Sequence, residues 1–147
     1  MSNKIWEFTG ETKIHFGTTL KRIRASVGFE LKCGVVIGKG ELGGWIEKES
    51  NLSGNAWVSG NAKVYGNALV SGDALVKSSE DYCVYKNTWS SFRWFTYTRS
   101  NKMWSVGCFF GTGAELIAKA YKDSKKSGKC YEAIVKAQEE IEKVMDV

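Results

Sequence analysis

The chain is poor in the residues that usually carry catalysis and metal binding. Its one histidine is His15, so any Ser-His-Asp or Cys-His centre would depend on that side chain alone. A zinc site needs close cysteine pairs or several histidines, whereas the cysteines are widely spaced without a CxxC pair: Cys33, Cys83, Cys108 and Cys130. We therefore expect reduced thiols, no metal and no cofactor, and an enzyme is the weaker interpretation.

Long apolar runs and strong acidity are absent as well. No apolar stretch approaches the ~20 residues of a membrane-spanning helix, and we expect no secretory signal and a cytoplasmic location. The net charge is +5, which argues against an acidic mimic of DNA.

The positive charge is concentrated on the C-terminal side. Residues 119–129 contain five lysines against Asp123. Residues 81–110 contain one acid, Asp81, and four basic side chains: Lys86, Arg93, Arg99 and Lys102. This distribution indicates that the C-terminal side contacts an anion.

A six-residue repeat occupies the middle of the chain, in NLSGNAWVSGNAKVYGNALVSGDALV at 51–76. One column of the repeat is aliphatic and consists of Ile46, Leu52, Val58, Val64, Val70 and Val76. A second column is small and consists of Ser50, Ala56, Ala62, Ala68 and Ala74. Gly-Asn or Gly-Asp pairs between most units fit turns with positive φ, so the spacing is typical of a hexapeptide parallel β-helix.

The repeat pattern resembles the left-handed β-helix of hexapeptide-repeat proteins, whose best-known members are acyltransferases. The order EFTGET, then GELGGWIE, then GNAxVxG repeats is similar to a group of small bacteriophage and prophage proteins, mostly uncharacterised. WSVGCFFGTGAELIAKAYKDS resembles a second phage-associated domain of unknown function. The first resemblance covers roughly residues 5–78; it implies a fold, a phage origin and an infected bacterial host, but no activity.

We predict a mainly β fold with some α: a short left-handed parallel β-helix followed by a small α+β module. The expected divisions are N-terminal strands and cap at 1–45, hexapeptide repeats at 46–79, and the module at 80–147. So few repeats leave both ends to be covered or shared between subunits. An oligomer is expected, and the resemblance favours a trimer. The coils lack a histidine and are too short for an acyl-donor groove, so any acyltransferase-like fold would be degenerate.

The module is predicted to contain three antiparallel strands and two helices. The strands are expected at 81–86, 90–98 and 103–110, with RSNK as a hairpin turn. Thr112 and Glu115 match a capping box for the first helix, and Gly128 is expected to end it. The second helix, at about 130–145, is expected to pack on the sheet through Ile134, Ala137, Ile141 and Val144, a coiled coil being the alternative.

The candidate binding site lies in WSSFRWFTYTRSNKMW. Its residues are Trp89, Arg93, Trp94, Phe95, Tyr97, Arg99, Lys102 and Trp104. Aromatic rings between guanidinium groups can stack a base and neutralise its phosphates; the alternative is that the rings form the core of a small sheet. The helix start at 111–115 is a further candidate for a phosphate, or an ordinary capped start.

These features favour a non-enzymatic, oligomeric phage counter-defence protein that sequesters a small phosphorylated nucleotide immune signal. One alternative is an inhibitor that binds a host defence protein, such as a CRISPR-type protein, or its nucleic acid. Another alternative is a structural phage component whose repeats carry its whole role. The expected partner is therefore a small anionic nucleotide-like ligand or a host defence protein, with nucleic acid possible and no membrane.

Overall fold

The computed structural model describes residues 4–146. Its strands are β1 (Trp6–His15), β2 (Thr18–Ala25), β3 (Phe29–Glu30), β4 (Val36–Ile37), β5 (Leu42–Ile46), β6 (Trp57–Val58), β7 (Lys63–Val64), β8 (Leu75–Val76), β9 (Tyr82–Lys86), β10 (Trp94–Thr98), β11 (Met103–Val106) and β12 (Phe109–Gly111). Its helices are α1 (Gly113–Asp123) and α2 (Lys125–Met145), and short 3₁₀ turns lie at Glu49–Asn51 and Ser79–Asp81.

The strands form small antiparallel and mixed sheets. The first sheet has the order β1-β2-β5-β7, antiparallel except for the β5–β7 pair. The C-terminal sheet is antiparallel throughout, in the order β12-β11-β10-β9. Two further sheets have two strands each, antiparallel β3-β4 and parallel β6-β8. The fold is therefore mainly β with two C-terminal helices.

The predicted left-handed parallel β-helix is wrong. Within residues 4–146 the repeat segment forms no solenoid, because its strands have two residues each and belong to two different sheets. β7 joins the mixed sheet beside β5, whereas β6 and β8 form a separate parallel pair. An isolated bridge between Leu52 and Val70 adds one further parallel contact.

Neighbouring strands explain why the parallel contacts stop there. Each parallel pair joins residues three repeats apart, such as Ile46 with Val64. The repeat segment is therefore long enough for only one set of such parallel contacts. The other edge of β5 pairs antiparallel with β2, which ends the parallel arrangement on that side. The expected trimer stays a prediction.

The aliphatic column nevertheless supplies the first apolar core. Ile46, Val58 and Val64 are fully buried, together with the small column at Ala56 and Ala62. Trp57 also lies in this cluster, and its ring meets Phe29 edge to face at 5.7 Å. The aliphatic column and the alanines of the small column therefore both face this core.

A second apolar core lies between the C-terminal sheet and the two helices. It is formed by Phe95, Tyr97, Trp104, Leu116, Ala120, Tyr131 and Val135. The sheet has four strands rather than the three predicted. The capping box is confirmed: the Thr112 hydroxyl accepts the Glu115 N–H at 3.2 Å, and a Glu115 carboxylate oxygen accepts the Thr112 N–H at 2.9 Å.

The break between the helices lies at Ser124, not at Gly128. The Ser124 N–H bonds the Ala120 carbonyl, and its hydroxyl accepts the Ser127 N–H at 3.0 Å, so one residue ends α1 and caps α2. Gly128 is buried in the first turns of α2, where an added Cβ would lie 2.3 Å from the Tyr121 ring. Its role is close packing of the two helices.

The packed face of α2 also differs from the prediction. Ile134 packs against the core as predicted, but Ala137 is exposed, Ile141 is 44% exposed and Val144 is 75% exposed, so most of the apolar face proposed from the sequence is turned outward. The buried residues of α2 on the sheet side are Tyr131, Val135, Gln138 and Glu142. Two polar side chains thus enter the interior of the module.

The C-terminal sheet meets the repeat segment through side-chain hydroxyls. The Leu69 N–H donates to Thr96 Oγ1 at 2.9 Å, and the Leu75 N–H donates to Ser100 Oγ at 2.7 Å. The turn at 99–102 therefore lies where the two apolar cores adjoin. Neither helix of the described residues is long and apolar enough to span a membrane.

Candidate functional site

Three of the aromatic residues proposed for binding lie in the core. Phe95, Tyr97 and Trp104 are 1%, 6% and 1% exposed. The Phe95 ring lies 5.1 Å from Tyr131 and 5.9 Å from Trp104, between the sheet and α2. The face that strand alternation gives to Phe95 and Tyr97 is therefore the packed face of β10.

The tryptophan in the loop before β10, Trp89, and the first residue of β10, Trp94, differ in environment. The Trp89 indole N–H donates to Ser127 Oγ at 3.1 Å, and its ring meets Tyr131 edge to face at 4.9 Å. Trp94 is 44% exposed, and the Lys86 ammonium lies 5.4 Å from its ring centroid. Trp94 thus offers an aromatic face to solvent, whereas Trp89 fastens the loop before β10 to α2.

The basic residues of the predicted site are divided between the two ends of β10. Arg93 precedes the strand, while Arg99 and Lys102 lie in the turn that follows it. Strand geometry places Arg93 and Arg99 roughly 20 Å apart. The predicted residues therefore contribute to two places on the surface rather than to one.

The C-terminal end of α2 lies against the turn that holds Arg99 and Lys102. Arg99 Nη2 is 2.7 Å from Asp146 Oδ1, and Lys102 Nζ is 2.9 Å from Glu142 Oε2. The Arg99 and Glu142 side chains are mostly buried, at 20% and 10% exposed, whereas that of Lys102 is 70% exposed. These ion pairs hold the end of α2 to the sheet.

The surroundings of Glu142 favour its ionised form. Burial alone would raise the pKa of this carboxyl, but the neighbouring Tyr97 hydroxyl and the Lys102 and Arg99 charges outweigh burial and hold the pKa below its usual value. Burial and the same carboxylate raise the pKa of Tyr97, so its hydroxyl keeps its proton. Glu142 is therefore ionised at neutral pH, and its Oε1 has no hydrogen-bond partner among the described residues.

A cavity of about 440 Å³ opens beside this carboxylate, and we call it the aromatic cavity. Its wall combines Tyr97, Trp104 and Val135 with the polar residues Gln138 and Glu142. The Gln138 Oε1 accepts the Tyr85 hydroxyl, while its buried Nε2 has no hydrogen-bond partner among the described residues. One acceptor and one donor thus remain unsatisfied along α2.

A second cavity, of about 420 Å³, lies on the other side of the same turn, and we call it the basic cavity. Its charged lining consists of Lys77, Arg99 and Lys102 against Asp81. The Nε of Arg99 is buried and has no hydrogen-bond partner among residues 4–146. Lys102 lines both cavities, so they meet at this side chain.

The sequence analysis missed Gln138 and Glu142. Both are polar, and the sequence analysis assigned the buried face of this helix to other residues, so Gln138 and Glu142 were expected to face solvent. They follow Tyr131 and Val135 at three- and four-residue spacing, which places all four on one face of the helix and was the available signal. At the helix start at 111–115, the capping box occupies the amide groups of Thr112 and Glu115.

Comparison of the chain with known protein families, with curated proteins and with solved structures found no match.

Proposed function

We propose that this protein is a non-enzymatic binder of a small phosphorylated, nucleotide-like ligand. The base would enter the aromatic cavity and the phosphate groups would lie in the basic cavity. The observation that carries the proposal is the meeting of two cavities of opposite character at Lys102. Their volumes, about 440 and 420 Å³, fall within the range of small-molecule sites, roughly 300–1,000 Å³.

Charge determines which end takes the phosphates. The basic cavity has three cations and one acid in its lining. The aromatic cavity has two cations, Lys102 and Lys143, and three acids, Glu139, Glu142 and Asp146. A phosphate would be repelled by the aromatic cavity and attracted by the basic cavity, because unlike charges attract strongly where water is partly excluded.

The polar groups of the aromatic cavity suit the edge of a nucleobase. Ionised Glu142 Oε1 needs a donor, and the exocyclic amino and ring N–H groups of bases provide one. The Gln138 amide needs an acceptor, which a ring nitrogen or carbonyl oxygen provides. A buried polar group without a partner costs about 1–3 kcal/mol, so a base that satisfies both groups would recover part of that cost on binding.

The phosphates would interact with Lys77 and the exposed ammonium of Lys102, and with Arg99 through its unpartnered Nε. Because Arg99 and Lys102 are already held by Asp146 and Glu142, they are oriented before a ligand arrives. Such preorganisation lowers the entropy lost when a ligand binds.

No histidine lines either cavity: His15 lies in the first hairpin, 5.4 Å from the Tyr65 ring. Binding without turnover is therefore the proposed activity. Together with the resemblance to phage proteins, it leads us to propose sequestration of a nucleotide immune signal in phage counter-defence.

The test identifies what the protein carries out of cells. The protein is purified from its bacterial host after incubation with nucleotide extract from infected cells, denatured, and the released molecules are identified by mass spectrometry. We expect a stoichiometric phosphorylated compound, reduced about tenfold or more by Lys102→Gln. The control is Lys86→Gln, an exposed lysine on the same sheet outside both cavities. Protein that releases no phosphorylated compound would overturn the proposal.

A nucleic-acid partner is a second candidate, because five exposed lysines cluster where α1 meets α2. They are Lys119, Lys122, Lys125, Lys126 and Lys129, and none lies within 4.0 Å of a carboxylate among the described residues. Nucleic-acid binding would weaken steeply with salt, in proportion to the number of phosphates neutralised. A compact nucleotide would give a shallower slope, and a titration against salt separates the two candidates.

A further inference from the structure

A third cavity lies at the other end of β10, and the proposed function does not use it. It has a volume of about 370 Å³ and lies between the loop before β10 and the start of α2. Its lining is unusually rich in hydroxyl groups, so we call it the serine cavity: Ser90, Ser91, Ser124, Ser127 and Tyr131. Arg93 and Lys119 supply two positive charges, and Asp123 is the acid in the lining.

Arg93 differs from the other arginines in having no carboxylate partner within residues 4–146. Arg22, Arg24 and Arg99 each lie within 3.6 Å of an acid. Among residues 4–146, neither Arg93 nor Lys119 has an acid within 4.0 Å, although Asp123 shares their cavity. Two uncompensated cations therefore face a lining of hydroxyl groups.

Gly107 leaves space for the side chain of Arg93, which lines this cavity. A Cβ added to Gly107 would lie 2.8 Å from Arg93 Nη1, and the φ of Gly107 is +55°, so this glycine gives the guanidinium its space. The neighbouring Phe92 has a φ of +58°, a conformation that costs energy for a bulky residue. Arg93 thus stands on a strained turn beside a glycine that accommodates it.

Buried hydrogen bonds fix the loop that carries these groups. Asn87 is 2% exposed, and its Oδ1 accepts the N–H groups of Trp89 and Ser90 at 3.1 and 2.9 Å. Its Nδ2 donates to the Tyr131 hydroxyl at 3.2 Å, which joins the loop to α2. The wall of the serine cavity is therefore set before any ligand binds.

We propose that the serine cavity binds a phosphoryl group. A guanidinium gives phosphate two parallel charge-assisted hydrogen bonds, the lysine adds a point charge, and serine hydroxyls donate to the remaining oxygens. The lining has a net charge of +1 from Arg93, Lys119 and Asp123, which favours an anion. The volume exceeds that of a phosphate ion, so the phosphoryl group of a phosphomonoester fits as well as inorganic phosphate.

The experiment titrates the protein with inorganic phosphate, glycerol 3-phosphate and glycerol, by calorimetry and, for the two phosphate compounds, by ³¹P NMR; none of these probes carries a base for the aromatic cavity. Binding of phosphate and of glycerol 3-phosphate, but not of glycerol, is the expected pattern. A phosphate ion as the natural ligand gives equal affinities for the two, whereas a phosphomonoester gives tighter binding of glycerol 3-phosphate. No saturable binding of either phosphate compound at millimolar concentration would overturn the proposal.

Variants locate the binding. Arg93→Gln and Lys119→Gln should each weaken phosphate binding about tenfold or more, because each removes a charged contact. Lys122→Gln on the same helix is the matched control and should leave the affinity unchanged, because Lys122 lies outside the lining of the serine cavity. Gly107→Ala keeps every charge but crowds the guanidinium, so it should weaken binding while far-ultraviolet circular dichroism confirms the fold. Undiminished affinity in both Arg93→Gln and Lys119→Gln would refute the assignment.

Discussion

Glu142→Gln tests whether the buried charge at the end of α2 stabilises the fold. The substitution keeps the shape of the side chain and one acceptor oxygen, but it removes the negative charge that pairs with Lys102 and lies beside the Tyr97 hydroxyl. Lys102 is 70% exposed and regains water, so the cost stays below the ~3–5 kcal/mol of breaking a fully buried pair. We expect a loss of about 1–2 kcal/mol at pH 7, near the lower end of the ~1.5–3 kcal/mol of a hydrogen bond to a charged group.

The direction of the Glu142 pKa shift determines how the stability of the fold depends on pH. The pKa of Glu142 is lower in the folded protein than its usual value of 4.5, so the carboxylate contributes stability above pH 4.5. That contribution is lost as the pH falls through the pKa of Glu142 in the folded protein. Below that pH the wild-type side chain is protonated and neutral, like the glutamine of the variant. The difference in unfolding free energy between wild type and Glu142→Gln should therefore shrink below pH 4.5.

Urea denaturation at pH 7 and at about pH 3 measures this difference, with the midpoint and slope fitted together. Glu139→Gln is the control, because Glu139 is an exposed acid on the same helix without an ion pair among the described residues. It should change stability by less than about 0.5 kcal/mol. Equal stability of Glu142→Gln and wild type at pH 7, or an equal deficit at both pH values, would refute the reasoning.

Three further substitutions test the packing and the caps. Gly44→Ala should lower the unfolding free energy, measured in urea, by more than about 2 kcal/mol, because the new Cβ would lie 2.5 Å from the Ala62 carbonyl oxygen. The control Gly38→Ala places its Cβ where no atom lies within 4 Å and should be nearly neutral. Similar losses in the two variants would contradict this. Asn51→Ala should cost about 1–3 kcal/mol, since its buried side chain bonds two amides and two carbonyls; a neutral result in the urea midpoint would contradict that role. Thr112→Ala should lower the unfolding free energy by about 1 kcal/mol through loss of the helix cap, and Thr112→Ser, which keeps the hydroxyl, should recover most of it.

The sequence predicted which residues of the repeat are buried, but not how the strands pair. A six-residue period places one aliphatic side chain inward per unit, and Val58 and Val64 are indeed fully buried. Pairing depends on what lies beside each strand, and β2 takes the edge of β5 through a long-range antiparallel contact. No local pattern encodes that competition, so the repeat alone led to the wrong architecture.

The candidate site shows the same division between local and tertiary information. The capping box at Thr112 is a local interaction and was predictable. The aromatic residues at 95, 97 and 104 pack inward because two helices cover that face of the sheet, which no count of aromatic residues reveals. Glu142 enters the interior because Tyr97, Lys102 and Arg99 surround it, and those partners come from a distant hairpin.

The two hydroxyls that accept the Leu69 and Leu75 amides connect the C-terminal sheet to backbone donors of the repeat segment. An uncovered strand edge with apolar neighbours is a template for pairing with another chain. Thr96 and Ser100 occupy two donors of the repeat segment with side-chain acceptors, which cannot propagate a ladder of backbone bonds. A fragment that ends before β9 would leave those amides without their acceptors, so we expect it to precipitate at concentrations at which the whole chain does not. The last third of the chain would thus limit strand pairing between copies of its middle.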